Sequence, residues 1–249
     1  MLVLLSPSKK IENTAPASAP MTEPPLNKEA HDLLKTLKSF AREDIQGLMK
    51  LSDNLAELNH TRYQNFDNLE KSPALFTFKG DVYDKMDIEN YGKDDLDFAQ
   101  KHVRILSGLY GVLRALDAMR PYRLEMGTSL KTDKGKTLYS FWGDKVTKTL
   151  NGAGEKLVLN LASQEYFKAV KPDALDADII HVDFKHIKNG KTRTIGLMAK
   201  RARGLMTDYI IKNRITNPAD LEGFDLEGYR FEADMSDDET LTFTLNMDK

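Results

Sequence analysis

Two short, unbroken apolar runs limit most strongly how this chain can fold. Residues 1–5 (MLVLL) and 156–161 (KLVLNL) are too short for buried helices and have the Leu/Val content of strands covered on both faces. Each run gives way to polar residues: Ser6-Pro7-Ser8-Lys9 follows the first, and Asn160 and Ser163 stand at the end of the second. Sites in sheets of this kind form beyond the carboxyl ends of the strands. If the two strands are neighbours, Ser6, Lys9, Asn160 and Ser163 converge on one pocket.

Around these strands the remaining patterns predict a mixed architecture. Residues 13–25, rich in Pro, Ala, Ser and Thr, read as a surface loop. Three helical patterns follow between 27 and 66, a packed helical layer. Residues 138–150 predict an amphipathic helix with Trp142 in the core. Residues 179–187 alternate Ile180, Val182 and Phe184 against His181, Asp183 and Lys185, a half-exposed strand that turns at Asn189-Gly190 into a hairpin partner over 192–198. A last hairpin is expected from 229–233 to 240–245, at a sheet edge with acid at its tip. The expected fold is one α/β (mixed α+β) domain over 1–249, with a mixed, partly antiparallel sheet and a helical layer.

Residues 94–127 carry the most distinctive pattern. Leu96, Phe98, Ala99, Val103 and Leu106 lie on one helical stripe, Gly108 and Gly111 stand three apart, and apolar residues resume at Val112, Leu113 and Leu116. The spacing predicts a helix-hairpin-helix over about 94–120. Glycines in such a hairpin let backbone N–H groups approach a phosphate; the same spacing also fits a plain αα-corner.

The runs LSGLYGVLRALDAMRPYRLEMG, SPSK at 6–9, FKGDVY at 78–83, LYSFWG at 138–143, NLASQEYFKAV at 160–170 and AKRARGLM at 199–206 together resemble the bacterial peroxide stress protein YaaA family. The resemblance runs in order along nearly the whole chain. It implies a cytoplasmic protein that limits free iron and oxidative damage during hydrogen peroxide stress. It also implies a basic cleft, a helix-hairpin-helix element and binding to double-stranded or branched DNA.

Charge and composition narrow the chemistry. The chain has no cysteine, which removes disulfides, thiolate metal sites and thiol-based peroxide reduction. No apolar run approaches the length of a membrane span, and the opening run is too short for a signal peptide, so no membrane partner is expected and a cytoplasmic location is. The net charge of −2 gives no global pull on nucleic acid, so DNA binding requires the 36 basic residues to be segregated. The phosphate-binding candidates are therefore Ser107, Gly108, Leu109, Tyr110 and Gly111 for backbone contacts, with Arg114, Arg120, Arg123, Lys200, Arg201 and Arg203 for charge. Lys200 to Arg203 read as a basic cluster at a helix start, where cations oppose the helix dipole unless an anion is present.

A second reading is an enzyme acting on a phosphate-bearing or nucleotide-like small molecule, with Ser6, Lys9, Lys79, Asp81, Glu125, Asn160 and Ser163 as the candidate pocket. No complete catalytic constellation is present: Ser6-x-x-Lys9 matches a nucleophile pattern without its partner motifs. A third reading is direct iron sequestration, for which His181-x-Asp183 offers two ligands of a facial triad but no third. No metal and no cofactor are expected.

Overall fold

The computed structural model describes residues 1–248. Its centre is an eight-stranded sheet. Its strands are β1 (Leu2–Leu5), β2 (Val103–Ser107), β3 (Gly111–Arg114), β4 (Leu157–Asn160), β5 (Asp178–Lys188), β6 (Lys191–Arg193), β7 (Arg230–Phe231) and β8 (Thr240–Asn246). Across the sheet the order is β7-β8-β5-β4-β1-β2-β3, with β6 added to the end of β5. The five strands from β8 to β2 run parallel, while β3, β6 and β7 are antiparallel additions. The sheet is therefore mixed, and β1, whose four residues are all buried, lies inside it between β4 and β2.

The two apolar runs lie side by side. β1 pairs with β4 in parallel, Leu4 beside Asn160, and Leu161 N–H donates to the Leu4 carbonyl at 3.0 Å. Both strands point the same way, so their polar sequels leave the sheet together.

The first third folds as three helices, α1 (Asn27–Lys38), α2 (Arg42–Met49) and α3 (Asp53–Gln64). Leu33, Leu34, Leu37, Ile45 and Tyr63 turn inward from them. Next come α4 (Lys93–His102), α5 (Leu138–Trp142), α6 (Lys145–Asn151), α7 (Gln164–Phe167) and α8 (Gly196–Asn213). α4 packs on β1, β2 and β3 and also meets α8, which lies on β5. Gly204 sets the seat of α8: a methyl group there would overlap the carbonyl of Val82.

Residues 94–120 do not form a helix-hairpin-helix. α4 ends at His102, and the chain turns at once into β2 and back through β3, a β-hairpin inside the main sheet. The helical stripe misled because Val103 and Leu106, spaced like α4's apolar face, belong to a strand buried at every position, VRILS. β-branched Val103 and Ile105 favour that extended form. Gly111 lies in the left-handed region (φ 69°), and a methyl there would stand 2.9 Å from Leu26 and Trp142 carbons. A compact helix-turn-helix occurs elsewhere, between α2 and α3, where Lys50 takes φ 50° before Leu51-Ser52.

Three smaller expectations also change. The 138–150 helix is broken at Gly143 (φ 55°) into α5 and α6, with Trp142 fully buried. The hairpin partner of β5 stops at Arg193, because α8 already begins at Gly196. For the same reason Lys200 to Arg203 lie beyond the first turn of α8 rather than at its start.

Candidate functional site

At the carboxyl ends of β1 and β4 the chain opens a cleft of about 550 Å³. Ser6 and Ser163 meet at its floor: Ser163 N–H donates to Ser6 Oγ at 2.8 Å, and Ser6 Oγ–H donates to Ser163 Oγ at 3.2 Å. The buried Tyr83 hydroxyl donates to the Ser6 carbonyl at 2.8 Å and ties the 80–83 loop to this floor. Tyr122 and Tyr166 complete the apolar wall. Burial pushes the Tyr83, Tyr122 and Tyr166 phenols above their ordinary range, so all three stay neutral.

Charge is concentrated at the walls and mouth. Lys9 Nζ pairs with Glu125 Oε2 at 2.8 Å, and Arg123 Nη2 reaches Glu125 Oε1 at 3.4 Å, so one carboxylate aligns two cations. Glu165 Oε1 accepts from Gly127 N–H at 2.9 Å. From α8, Lys200 and Arg203 reach the cleft. The Nε atoms of Arg123 and Arg203 are covered and have no hydrogen-bond partner. Burial also pushes the Arg203 guanidinium below its ordinary pKa, with Asp183 acting in the opposite sense.

Of the candidate pocket, Ser6, Lys9, Asp81, Glu125 and Ser163 line the cleft, and so do Arg123, Lys200 and Arg203 from the phosphate-binding set. Lys79 sits just outside, opposite Lys10 in a two-residue ladder. Asn160 is behind the wall: its Oδ1 accepts from Ala162 N–H at 3.0 Å and its Nδ2 donates to His181 Nδ1 at 3.0 Å. Arg201, next to Lys200, points away into solvent on α8 and does not line the cleft.

Residues 107–111 are buried, against expectation. Ser107 Oγ takes the N–H of Tyr110 at 2.9 Å and shares a hydrogen bond with Tyr122 Oη at 2.7 Å. The Gly108 carbonyl accepts from Trp142 Nε1 at 3.0 Å, and Leu109 is fully buried. A methyl on Gly108 would overlap the Leu124 carbonyl, so this glycine admits protein backbone, not a phosphate. Arg114 and Arg120 lie outside the cleft and spend their donors internally. Arg114 binds Asp117 and the Glu23 carbonyl, whereas Arg120 binds the Leu69 and Asp67 carbonyls.

The sequence reading missed Lys10, Glu165 and Tyr166 in the lining. Glu165 was within reach, since it follows Ser163 past the same strand end; Tyr166 had no polar signature to find. The His181-x-Asp183 pair does not converge on an open site. His181 packs edge-on against Phe167, and Asp183 pairs with Lys185 at 2.8 Å.

The family model described as peroxide stress protein YaaA matches residues 1–235. The chain belongs to this family. A UPF0246 protein of Acaryochloris marina is 47% identical over 260 residues, covering 99% of this chain and 100% of its own length. A UPF0246 protein of Polynucleobacter asymbioticus is 49% identical over 241 residues, covering 93% of each chain. A third, of Teredinibacter turnerae, is 47% identical over 253 residues, covering 98% of this chain and 99% of its own. All six runs quoted for the YaaA resemblance fall within the matched residues. No helix among the described residues is long and apolar enough to cross a membrane.

Proposed function

We propose that this protein serves the cytoplasmic defence against hydrogen peroxide by binding double-stranded or branched DNA through phosphate contacts at the strand-end cleft, without reading base sequence. In this role it limits the damage that free iron and peroxide do to DNA. The observation that carries the phosphate chemistry is the pair of covered, unpartnered arginine Nε atoms, Arg123 and Arg203. A guanidinium with a covered, unused donor in a concave site is a ready receptor for phosphate oxygens. Lys9, Lys10 and Lys200 extend the positive charge outward to the exposed mouth, where a backbone can be met. The turn between α2 and α3 offers a second exposed surface, where the N-cap Ser52 of α3 makes no side-chain cap hydrogen bond and leaves the first N–H groups of the helix without that partner. The peroxide role itself follows from membership of the family.

Contacts of this type carry no base code and depend on salt. Fluorescence anisotropy of a labelled duplex and a four-way junction across a salt series tests the reading. Three to five phosphate contacts give a slope of roughly −3 to −5 in log affinity against log salt. Arg203→Ala lowers that slope by about one unit on every sequence. Salt-insensitive binding, or none, defeats the proposal.

One observation favours the second reading, an enzyme or receptor for a phosphate-bearing small molecule: the cleft's volume of about 550 Å³ is that of a small-ligand pocket. Its chemistry is that of binding more than turnover. Lys9 is paired with Glu125 and not with Ser6, and the phenols are neutral.

A further inference from the structure

The geometry points to a more specific ligand for the same cleft: a phosphomonoester dianion, held between Arg123 and Arg203, supplied either by a mononucleotide or by the terminal phosphate of a DNA strand. This inference rests on the phosphate reading above and sharpens it from any phosphate to one with three free oxygens.

Arg203 is the strongest element of the argument. Its side chain makes no hydrogen bond and no ion pair with any described residue, although its Nε is fully covered. A buried donor without a partner is among the costlier features a fold can retain, and native structures contain few. Arg123 repeats the feature from the facing segment: Glu125 takes one Nη2 contact at 3.4 Å, and the Nε is left over. Glu125 also holds Lys9 at 2.8 Å, so two cations are fixed beside Arg203 before any ligand enters.

Charge balance selects the dianion. Five cationic side chains and three carboxylates line the cleft, an excess of two positive charges in a chain whose net charge is −2. Of the carboxylates, Glu165 is committed to Gly127 N–H and Glu125 to Lys9 and Arg123, and Asp81 is the third. A phosphomonoester carries close to two negative charges at neutral pH. A phosphodiester carries one, and its two sugars flank the phosphorus on both sides. Those sugars keep its oxygens away from covered Nε atoms, whereas a terminal phosphate presents a free face to two guanidinium forks.

The ligand also brings its own titration. No histidine is among the residues that line the cleft. The second ionisation of a phosphomonoester falls near pH 6. Binding that requires the dianion weakens as pH drops through that value.

The test uses the full chain and a short duplex labelled at a 3′ end, with a 5′-phosphate or a 5′-hydroxyl, and AMP or adenosine as competitors. The expected result at neutral pH is about tenfold tighter binding of the phosphorylated duplex, or displacement by AMP and not by adenosine, with the advantage shrinking near pH 5. Arg203→Gln and the charge-preserving Arg203→Lys both lose the advantage. Arg193→Gln, in the β6 hairpin away from the cleft, keeps it. Competition by AMP with no effect of the terminal phosphate assigns the site to a small molecule; the reverse assigns it to DNA ends; either supports the inference. Indifference to both probes, with salt-dependent duplex binding intact, overturns the inference and leaves the DNA reading standing. AMP binding with no duplex binding does the opposite.

Discussion

The arginines of the β2–β3 region and those of the cleft stand at opposite ends of one scale. Arg104, the second residue of β2, is almost wholly buried, yet its Nη1 is used on the carbonyls of Gln100 and Val103, and burial beside Arg114 lowers its pKa to about 10. Arg114 wraps a carboxylate that is 0% exposed, Asp117, and Arg120 caps two carbonyls while lying over the Phe66 ring. These side chains tie the edge of the sheet to the loops around it. Arg203 is half-buried and tied to nothing, and Arg123 has one long contact. The comparison teaches that clustering along the sequence is a poor guide to function for arginine. What separates a binding arginine from a structural one is whether the fold supplies acceptors for its donors.

The largest effect that bears on this contrast concerns the glycine between the two regions. Gly108→Val has to displace the Leu124 carbonyl and, with it, the segment that carries Arg123 and Glu125. Overpacking against backbone in a closed site costs about 3 kcal/mol or more. A urea melt should show that loss in full whether or not DNA is present. Weakened DNA binding in a variant of undiminished stability would instead restore the hairpin as a contact surface.

Arg114→Ala comes next. It strips the buried Asp117 carboxylate of two of its donors, leaving Thr22 Oγ1 at 2.7 Å and the backbone N–H of residue 114 at 2.7 Å. Breaking a buried pair from one side costs several kcal/mol when nothing else compensates. With those two donors kept, about 2 kcal/mol is expected, and no change in the salt slope of DNA binding.

Arg203→Met probes the other end of the scale and should move in the opposite direction. Removing a partly desolvated charge that only the more distant Asp183 offsets leaves the ligand-free protein as stable as before or up to about 1 kcal/mol more stable. Phosphate-dependent binding falls about tenfold in the same variant. Stability lost on a scale with Arg114→Ala would place Arg203 among the structural arginines.

Much of this was readable from the residues, and the failures have one cause. The two apolar runs marked β1 and β4 as strands covered on both faces, but their parallel pairing was only a condition in the sequence and is supplied by the structure. With it came the convergence of Ser6 with Ser163. The three helices of the first third followed from their periodicity, and so did the alternation of β5. The 94–120 segment failed because Val103, Ile105 and Leu106 satisfy a helical stripe and a buried strand equally, and only pairing with β1 decides between them. Phosphate contacts were assigned to Gly108 and Gly111 because glycine signals close approach. What approaches is the Leu124 carbonyl in one case and Leu26 with Trp142 in the other, and no local pattern identifies the neighbour.

The smallest effect comes from two buried imidazoles that, unlike the Arg203 side chain, have hydrogen-bond partners. His186 is 0% exposed; its Nδ1 accepts from Ile195 N–H at 3.2 Å, so its Nε2 carries the proton and donates to the Tyr229 hydroxyl at 2.9 Å. His102 donates from Nδ1 to the Met1 carbonyl at 2.8 Å. Burial is the leading reason that both pKa values lie below the ordinary 6.5. The unfolded chain therefore takes up these protons first, and the stability the two residues contribute is present above about pH 6.5 and is lost as pH falls through their folded-state values. The carboxylates whose pKa values are lowered in the fold, such as Glu155 beside the terminal ammonium and Asp87 beside Lys212, give way only below their ordinary values of 4.5 and 3.8. Between about pH 7.5 and 5.5 the histidines thus dominate the slope. His186→Gln keeps one acceptor and one donor without the titration, so urea midpoints measured at those two values should differ less in this variant than in the wild type. An equal or steeper decline would mean that the His186 proton is tolerated in the fold, and that being fully partnered is not what keeps this group neutral.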